Sequence, residues 1–290
     1  MTQLWRIHIR PGEKGFNTTL SYELCLKEKV IGVGWQVEAD GLLSLEKYLQ
    51  RLADTYPEES SAGTSAVRLL AQMGVGDLVW MRSRQGVYHL CKVKGPWEYR
   101  SAREYRDVDV VNIRTVRIVE VGVEIHVPGK VIACFRPPKT VQRIKDDTAL
   151  DASERIWTRL TGGTVPPPRA DSDIFSLISD KDCEDLISVY LQMQGWVVYP
   201  ARRRADMPAY EFVLRHRSDS REAVVQVKTG GSTVDLGALP ASIDVAFAFQ
   251  PNGRYAGEHP RASIIKREDV LQFIASNPRL VPDAVLAWSQ

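Results

Sequence analysis

Residues 161–171 run Thr-Gly-Gly-Thr-Val-Pro-Pro-Pro-Arg-Ala-Asp. Three successive prolines remove three backbone donors and fix three φ angles, which excludes a helix interior and a central strand. A proline segment of this kind is semi-stiff and holds its neighbours apart. The length of 290 residues suggests two domains. The expected division is residues 1–160 and 174–290, joined by a Gly/Pro-rich linker over 161–173. Each part must then bury a core of its own. The composition allows it, with 44% hydrophobic and 26% charged residues.

The C-terminal part begins with a marked helix. Ser179 and Asp182 have capping-box spacing, with Asp in place of the usual Glu or Gln. Cys183, Leu186, Ile187, Tyr190 and Leu191 form a core-facing stripe, and Gly195 closes the helix. Trp196–Tyr199 reads as a strand. Two more follow, Tyr210–Leu214 and Ala223–Lys228, antiparallel across a turn at Ser218-Asp219-Ser220. In the last of these, Val224, Gln226 and Lys228 share one face, while Ala223, Val225 and Val227 form a uniformly apolar one. A glutamine and a lysine on a strand that looks buried need partners, because unpaired burial is costly. A metal site beside an ammonium would supply them. Val245–Phe249, Ser263–Ile265 and a helix over 268–276 complete the half.

This arrangement resembles the PD-(D/E)XK nuclease superfamily in its Q-x-K variant, above all the Mrr-like restriction endonucleases, over residues 180–249. The resemblance implies a restriction-endonuclease-like α/β domain with a mixed sheet. It makes Glu211 the acidic metal ligand, puts Gln226 in the second acidic position and makes Lys228 the catalytic lysine. A glutamate on the preceding helix often joins such sites, and Glu184 is placed for that role. Its competing role is to interact with the helix dipole. The implied cofactor is Mg2+, with Mn2+ as a substitute. The chain departs from the commonest pattern, since Glu211 replaces Asp and no Pro-Asp dipeptide precedes it. Asp206 is therefore a rival for the acidic position. The chemistry is coherent: phosphodiester hydrolysis needs a hard cation that polarises phosphate and acidifies water, and magnesium prefers oxygen ligands. A lysine can stabilise the charge that develops. Arg202, Arg203 and Arg204, in the loop before Glu211, and Arg215 and Arg217 at the hairpin end could contact backbone phosphates, or form a solvated basic surface.

The N-terminal half reads as many short strands with few helices, the pattern of a small curved sheet or barrel. Strands are expected over 4–10, 30–35, 78–82, 86–93, 108–117, 119–126 and 131–135. Helices are expected over 42–56, 65–73 and 140–160. On Gly32-Val33-Gly34-Trp35, Gly76-Asp77-Leu78-Val79-Trp80 and Tyr88, this half resembles the PUA-like barrels, and within them the EVE-type domains. Such domains are associated with pockets for a modified base. Trp35, Trp80, Tyr88, Trp97 and Tyr99 are the candidate walls, since a flipped base needs stacking surfaces. Strand tryptophans are also ordinary core residues.

Together these features predict a metal-dependent DNA endonuclease of the modification-dependent restriction type, directed at foreign DNA such as that of phage. Its expected partner is double-stranded DNA carrying a modified cytosine, and two strand cuts call for two sites, hence a homodimer. The rival expectations are a catalytically inactive nucleic-acid reader, an RNA-binding PUA-like protein and a scaffold without chemistry. Net charge is only +2, so binding would depend on local basic patches. No apolar run is long enough to span a bilayer. The four scattered cysteines lack metal-site spacing and fit a reducing cytoplasm.

Overall fold

A computed structural model describes residues 2–10, 16–39, 41–169, 173–200 and 210–289. The chain is mixed α/β and forms two compact units, residues 1–170 and 171–290. The first contains β1 (Leu4–Ile7), α1 (Thr18–Glu28), β2 (Val30–Val33), α2 (Leu45–Thr55), α3 (Ser60–Gln72), β3 (Leu78–Arg82), β4 (Tyr88–Tyr99), α4 (Arg103–Arg106), β5 (Asn112–Gly122), α5 (Gly129–Cys134), β6 (Val141–Ile144) and α6 (Asp147–Leu160). Its six-stranded sheet has the order β2-β5-β4-β3-β1-β6. Strand β1 runs parallel to β3 and antiparallel to β6. The ladder leaves β2 and β6 at its edges, so no closed barrel forms among the described residues.

One face of this sheet presents Trp5, Ile7, Val79, Met81, Cys91 and Val93 to Tyr48, Leu52, Val67 and Leu70 from α2 and α3. Polar groups inside the unit are held by the backbone. The Asp77 carboxylate is 5% exposed. It accepts from the amides of Gln3 and Gly74, both at 2.9 Å, and from the Trp5 indole N–H at 2.8 Å. It thereby ties the start of β1 to the turn that opens β3. Arg114 donates to the carbonyls of Gly95, Leu70 and Ala71. Its charge therefore meets the carbonyl end of α3, where a cation is favoured.

Several expectations are corrected here. Residues 131–135 lie in or beside the short helix α5 rather than forming a strand. Val131, Ile132 and Cys134 are all buried, and a short apolar run cannot declare its period. The two strands expected over 108–126 are one, β5, followed by a 3-10 turn at Glu124–His126. Residues 140–160 begin with β6. The three-residue spacing of Val141 and Ile144 resembles a helix turn, but both are strand residues. Asp146 then caps α6 through the Ala149 amide at 2.8 Å. Helix α1 was not anticipated.

The second unit contains α7 (Ile174–Leu177), α8 (Asp180–Met193), β7 (Trp196–Pro200), β8 (Phe212–His216), β9 (Glu222–Val227), β10 (Val234–Asp235), β11 (Val245–Phe249), β12 (Tyr255–Ala256), β13 (Ala262–Ile264), α9 (Arg267–Ser276) and α10 (Asp283–Leu286). Its main sheet has the order β13-β11-β9-β8-β7. β7, β8 and β9 are antiparallel, while β11 joins β9 in parallel. Ser179 and Asp182 form the expected capping box of α8. Cys183, Leu186, Ile187 and Leu191 pack with Leu214, Ala223, Val225, Val227 and Phe249. The opposite face of β9 and β11 packs Val224, Ala246 and Ala248 against Val234, Leu236 and Leu239.

Two outcomes follow for the first unit. Asp77→Ala strands three donors, each worth about 1–3 kcal/mol when orphaned. Urea unfolding should show a loss of about 3 kcal/mol or more, whereas a loss below about 1 kcal/mol would contradict this role. His8 is buried edge-on to Phe135 at 5.1 Å. Burial, then the charges of Arg6 and Arg10, lower its pKa from 6.5 to about 4. The neutral form is therefore favoured in the fold. Its contribution to stability is complete above about pH 6.5 and is lost as pH falls towards 4. His8→Phe should flatten the acid limb of the melting-temperature profile between those limits; an unchanged limb would refute the assignment.

Candidate active site

The site is built where the pairing of β8 with β9 stops. Phe212 faces Val225 in the ladder, yet the Glu211 amide also donates to the Val225 carbonyl at 2.9 Å. Two residues of one strand thus oppose one of the other, the two-against-one pattern of a β-bulge, which re-aims side chains. The Glu211 carboxylate turns into the gap beyond the last pair. Its Oε2 accepts from the Val227 amide at 2.9 Å, replacing the ladder acceptor that this amide would otherwise need. Its Oε1 accepts from the Lys228 ammonium at 2.9 Å. The carboxylate is 12% exposed and the ammonium side chain 34%, so the pair opens to solvent on its lysine side.

Gln226 lies between the two residues that bind Glu211. It is 5% exposed, and its side-chain carbonyl oxygen, Oε1, has no hydrogen-bond partner among the described residues. Its neighbour across the parallel ladder is Ala248, a residue too small to crowd it. Three sequence-predicted residues, Glu211, Gln226 and Lys228, are therefore gathered at one strand end. Glu184 sits in α8, half-buried, one residue beyond Cys183. Burial, then the Glu184 carboxylate and, with smaller effect, Asp182, Asp180 and Glu211, raise the pKa of the Cys183 thiol.

The sequence reading missed Gln250. It is 3% exposed and uses its whole amide. Its Nε2 donates to the carbonyls of Gly230 and Ser232 at 3.0 and 3.1 Å. Its Oε1 accepts from the amides of Asn252 and Arg254 at 2.6 and 3.1 Å. With the Lys228 amide bonded to Phe249, this braces the loop that leaves Lys228. One glutamine after an apolar strand gives no sequence signal for such a brace.

Of the predicted phosphate contacts, Arg215 and Arg217 are not gathered there. Arg215 pairs with Glu222 at 2.5 Å and stands four residues along β8 from Glu211, about 13 Å at strand rise. The Arg217 amide bonds the Gly195 carbonyl at the same far end. Arg202, Arg203, Arg204 and the rival Asp206 lie outside the described residues. Among the described residues no group of three His, Cys, Asp or Glu side chains could hold a metal. A cation here would need the Gln226 amide oxygen and water beside Glu211.

The five aromatic wall candidates of the first unit do not form one pocket. Trp80 and Tyr88 are fully buried and meet edge-on at 6.3 Å, with the Trp80 N–H donating to the Ser153 hydroxyl. Trp97 and Tyr99 pack on Tyr48 at 5.5 and 5.2 Å. Tyr99 donates to the Val37 carbonyl at 2.6 Å. Trp80, Tyr88 and Tyr99 are core, and Trp97 is partly buried against it. Trp35 differs: it has φ 72 and meets Tyr56 edge-on at 5.4 Å. It lines a cavity of about 210 Å³ with Arg10, Val33, Gly34, Tyr56, Glu59, Asp109 and Thr140. Glycine is required at position 34, where a Cβ would lie 2.0 Å from the Asp109 carboxylate.

No protein-family model and no curated protein matches the chain. Among solved structures, the crystal structure of a protein from Agrobacterium tumefaciens aligns with 59% of this chain and 100% of its own, at 15% identity and a TM-score of 0.29. A likeness that weak fixes neither fold nor function.

Gln226 offers a direct check. Replacing a buried orphan acceptor by an apolar group of similar shape removes a desolvation cost. Gln226→Met should leave unfolding free energy within about 1 kcal/mol of the parent or raise it. A loss above about 2 kcal/mol would show that the amide is held structurally.

Proposed function

We propose that the chain is a Mg2+-dependent DNA endonuclease of PD-(D/E)XK type, with a PUA/EVE-like first unit that selects the DNA. The observation that carries this reading is the buried Gln226 oxygen, unpartnered among the described residues, on the strand whose next two residues fix the Glu211 carboxylate. Leaving an acceptor dry and unpaired costs stability, and strained or unpaired groups of that kind collect at functional sites. A hard cation is a fitting partner for an amide oxygen and a carboxylate.

Each residue has a separable task. Glu211 is held by Val227 and Lys228 through one lone pair on each oxygen, which leaves one on each for a ligand. Gln226 adds a neutral oxygen. The Lys228 ammonium has two further N–H donors to orient an attacking water and stabilise charge on the phosphate oxygens. The bound cation would polarise the phosphate and acidify that water. Because one carboxylate is offset by one ammonium, the set holds little net negative charge. It should bind the cation weakly, with the DNA phosphate as an additional ligand. Glu184 is the natural further carboxylate.

In the first unit the reading narrows to the Trp35 cavity. Either the tryptophan or the tyrosine, which meet each other edge-on, can offer a face to a flat base, and the carboxylates can accept from a base edge. Cytosine modification is the modification class proposed, and a dimer would place two such sites for two strand cuts.

The test is digestion of matched unmodified and cytosine-modified duplex DNA with Mg2+ present. Cleavage of the modified duplex is expected, falling at least a hundredfold in Glu211→Ala and Lys228→Ala. Equal cutting of both duplexes would remove the base-reading half of the proposal. Cleavage that survives both substitutions, or is absent in the parent, would remove the nuclease half.

A further inference from the structure

A second cavity in the first unit, about 490 Å³, is distinct from the Trp35 cavity and shares Arg10 with it. That volume is in the range of small-molecule sites. It is formed by the end of β1, by α1 and by the turn joining β3 to β4. Its charged lining is Arg10, Arg82 and Arg84 against Glu23 and Glu120. The three arginines are exposed, and none has an ion-pair partner among the described residues; Arg82 is steadied over the Tyr88 ring at 5.4 Å.

The floor is different in character. His89 is 7% exposed. Its Nδ1 lies 2.9 Å from the Tyr22 hydroxyl, and its Nε2 lies 3.7 Å from Glu120. Burial lowers its pKa, opposed by Glu120, while burial raises that of Tyr22. Both therefore stand neutral at pH 7, and His8 beside them does too. The cavity thus joins a cationic rim to a neutral, hydrogen-bonding, partly aromatic floor. With the histidines neutral, three arginines and two carboxylates leave one net positive charge.

We infer that this cavity binds a nucleoside phosphate carrying a single phosphate, with the phosphate at the Arg82–Arg84 rim and the base or sugar over Tyr22 and His89. A phosphate monoester carries about −1.5 to −2 at pH 7, so one net positive charge comes nearer to balancing a monophosphate than a di- or triphosphate. Arginine forks match phosphate geometry. The two carboxylates disfavour a simple inorganic anion and can accept from base or sugar donors. Arg10 also lines the Trp35 cavity, so the two cavities adjoin. A strand with one base in the Trp35 cavity can lay a neighbouring nucleotide here, which would give the reader sequence context. The assignment of the cavity stands without the proposed function; only the strand as the nucleotide's source rests on it.

The experiment titrates the full chain with deoxynucleoside 5′-monophosphates, with inorganic phosphate and with a short single-stranded oligodeoxynucleotide, following the His89 ring signals by NMR. At least one monophosphate should bind and shift His89. The Arg82→Gln/Arg84→Gln double variant should weaken that binding at least tenfold at unchanged melting temperature. Glu211→Ala should bind as the parent does, even if cleavage is lost. Displacement of the mononucleotide by the oligonucleotide would identify the strand as the source; its absence would remove that clause and leave a site for free nucleotides. The inference is overturned if no monophosphate binds, if inorganic phosphate binds as tightly, or if the double variant binds as the parent does.

Discussion

A backbone donor at the end of a sheet ladder must find an acceptor, and at Val227 that acceptor is the carboxylate of Glu211. The rest of the C-terminal site depends on this bond. It fixes Glu211 in the gap where β8 leaves β9, and so places it within reach of Lys228. It also brackets Gln226, since Val225 and Val227 both bond the same glutamate. A carboxylate held this way has lost its conformational freedom at folding rather than at binding, which is the preorganisation an electrostatic site requires. The Gln250 brace extends the same logic to the loop beyond Lys228.

The first unit shows the contrast that gives Gln226 its meaning. There, Asp77 and Arg114 are buried ionic side chains satisfied by backbone groups and an indole. Other buried polar atoms without partners exist, among them Trp97 Nε1 and Asn112 Oδ1. Asn112 still donates to the Gly34 carbonyl and the Tyr48 hydroxyl from a site with no exposure. Gln226, unlike these, stands on β9 two residues before Lys228, whose ammonium pairs with Glu211 and opens to solvent. That position is the ground on which Gln226 is proposed as a ligand.

Much of the second unit was legible in the sequence because its signals are local. The capping box at Ser179, the apolar stripe of α8 and the alternation along β9 each read out one element. The same alternation put Gln226 and Lys228 on one face. The bulge at Glu211 was not legible, because a two-against-one pairing depends on where the partner strand stops. The first unit was harder. Helix α1 has almost no amphipathic contrast, with Ser21, Tyr22 and Cys25 as its buried residues. Val131–Cys134 is buried all round, so no period survives to separate helix from strand. Aromatic type alone suggested five pocket walls. Trp35, at a backbone conformation with positive φ, lines a cavity.

The most direct measurement is residue-resolved NMR of the full chain titrated with Mn2+. Paramagnetic broadening reports distance to the ion, and the Val227 amide is a built-in reporter bonded to Glu211. The account requires the Val227 amide and the Gln226 side-chain amide to broaden first, with the effect abolished in Glu211→Ala and reversed by excess Mg2+. Broadening centred elsewhere, or unchanged in Glu211→Ala, would contradict it.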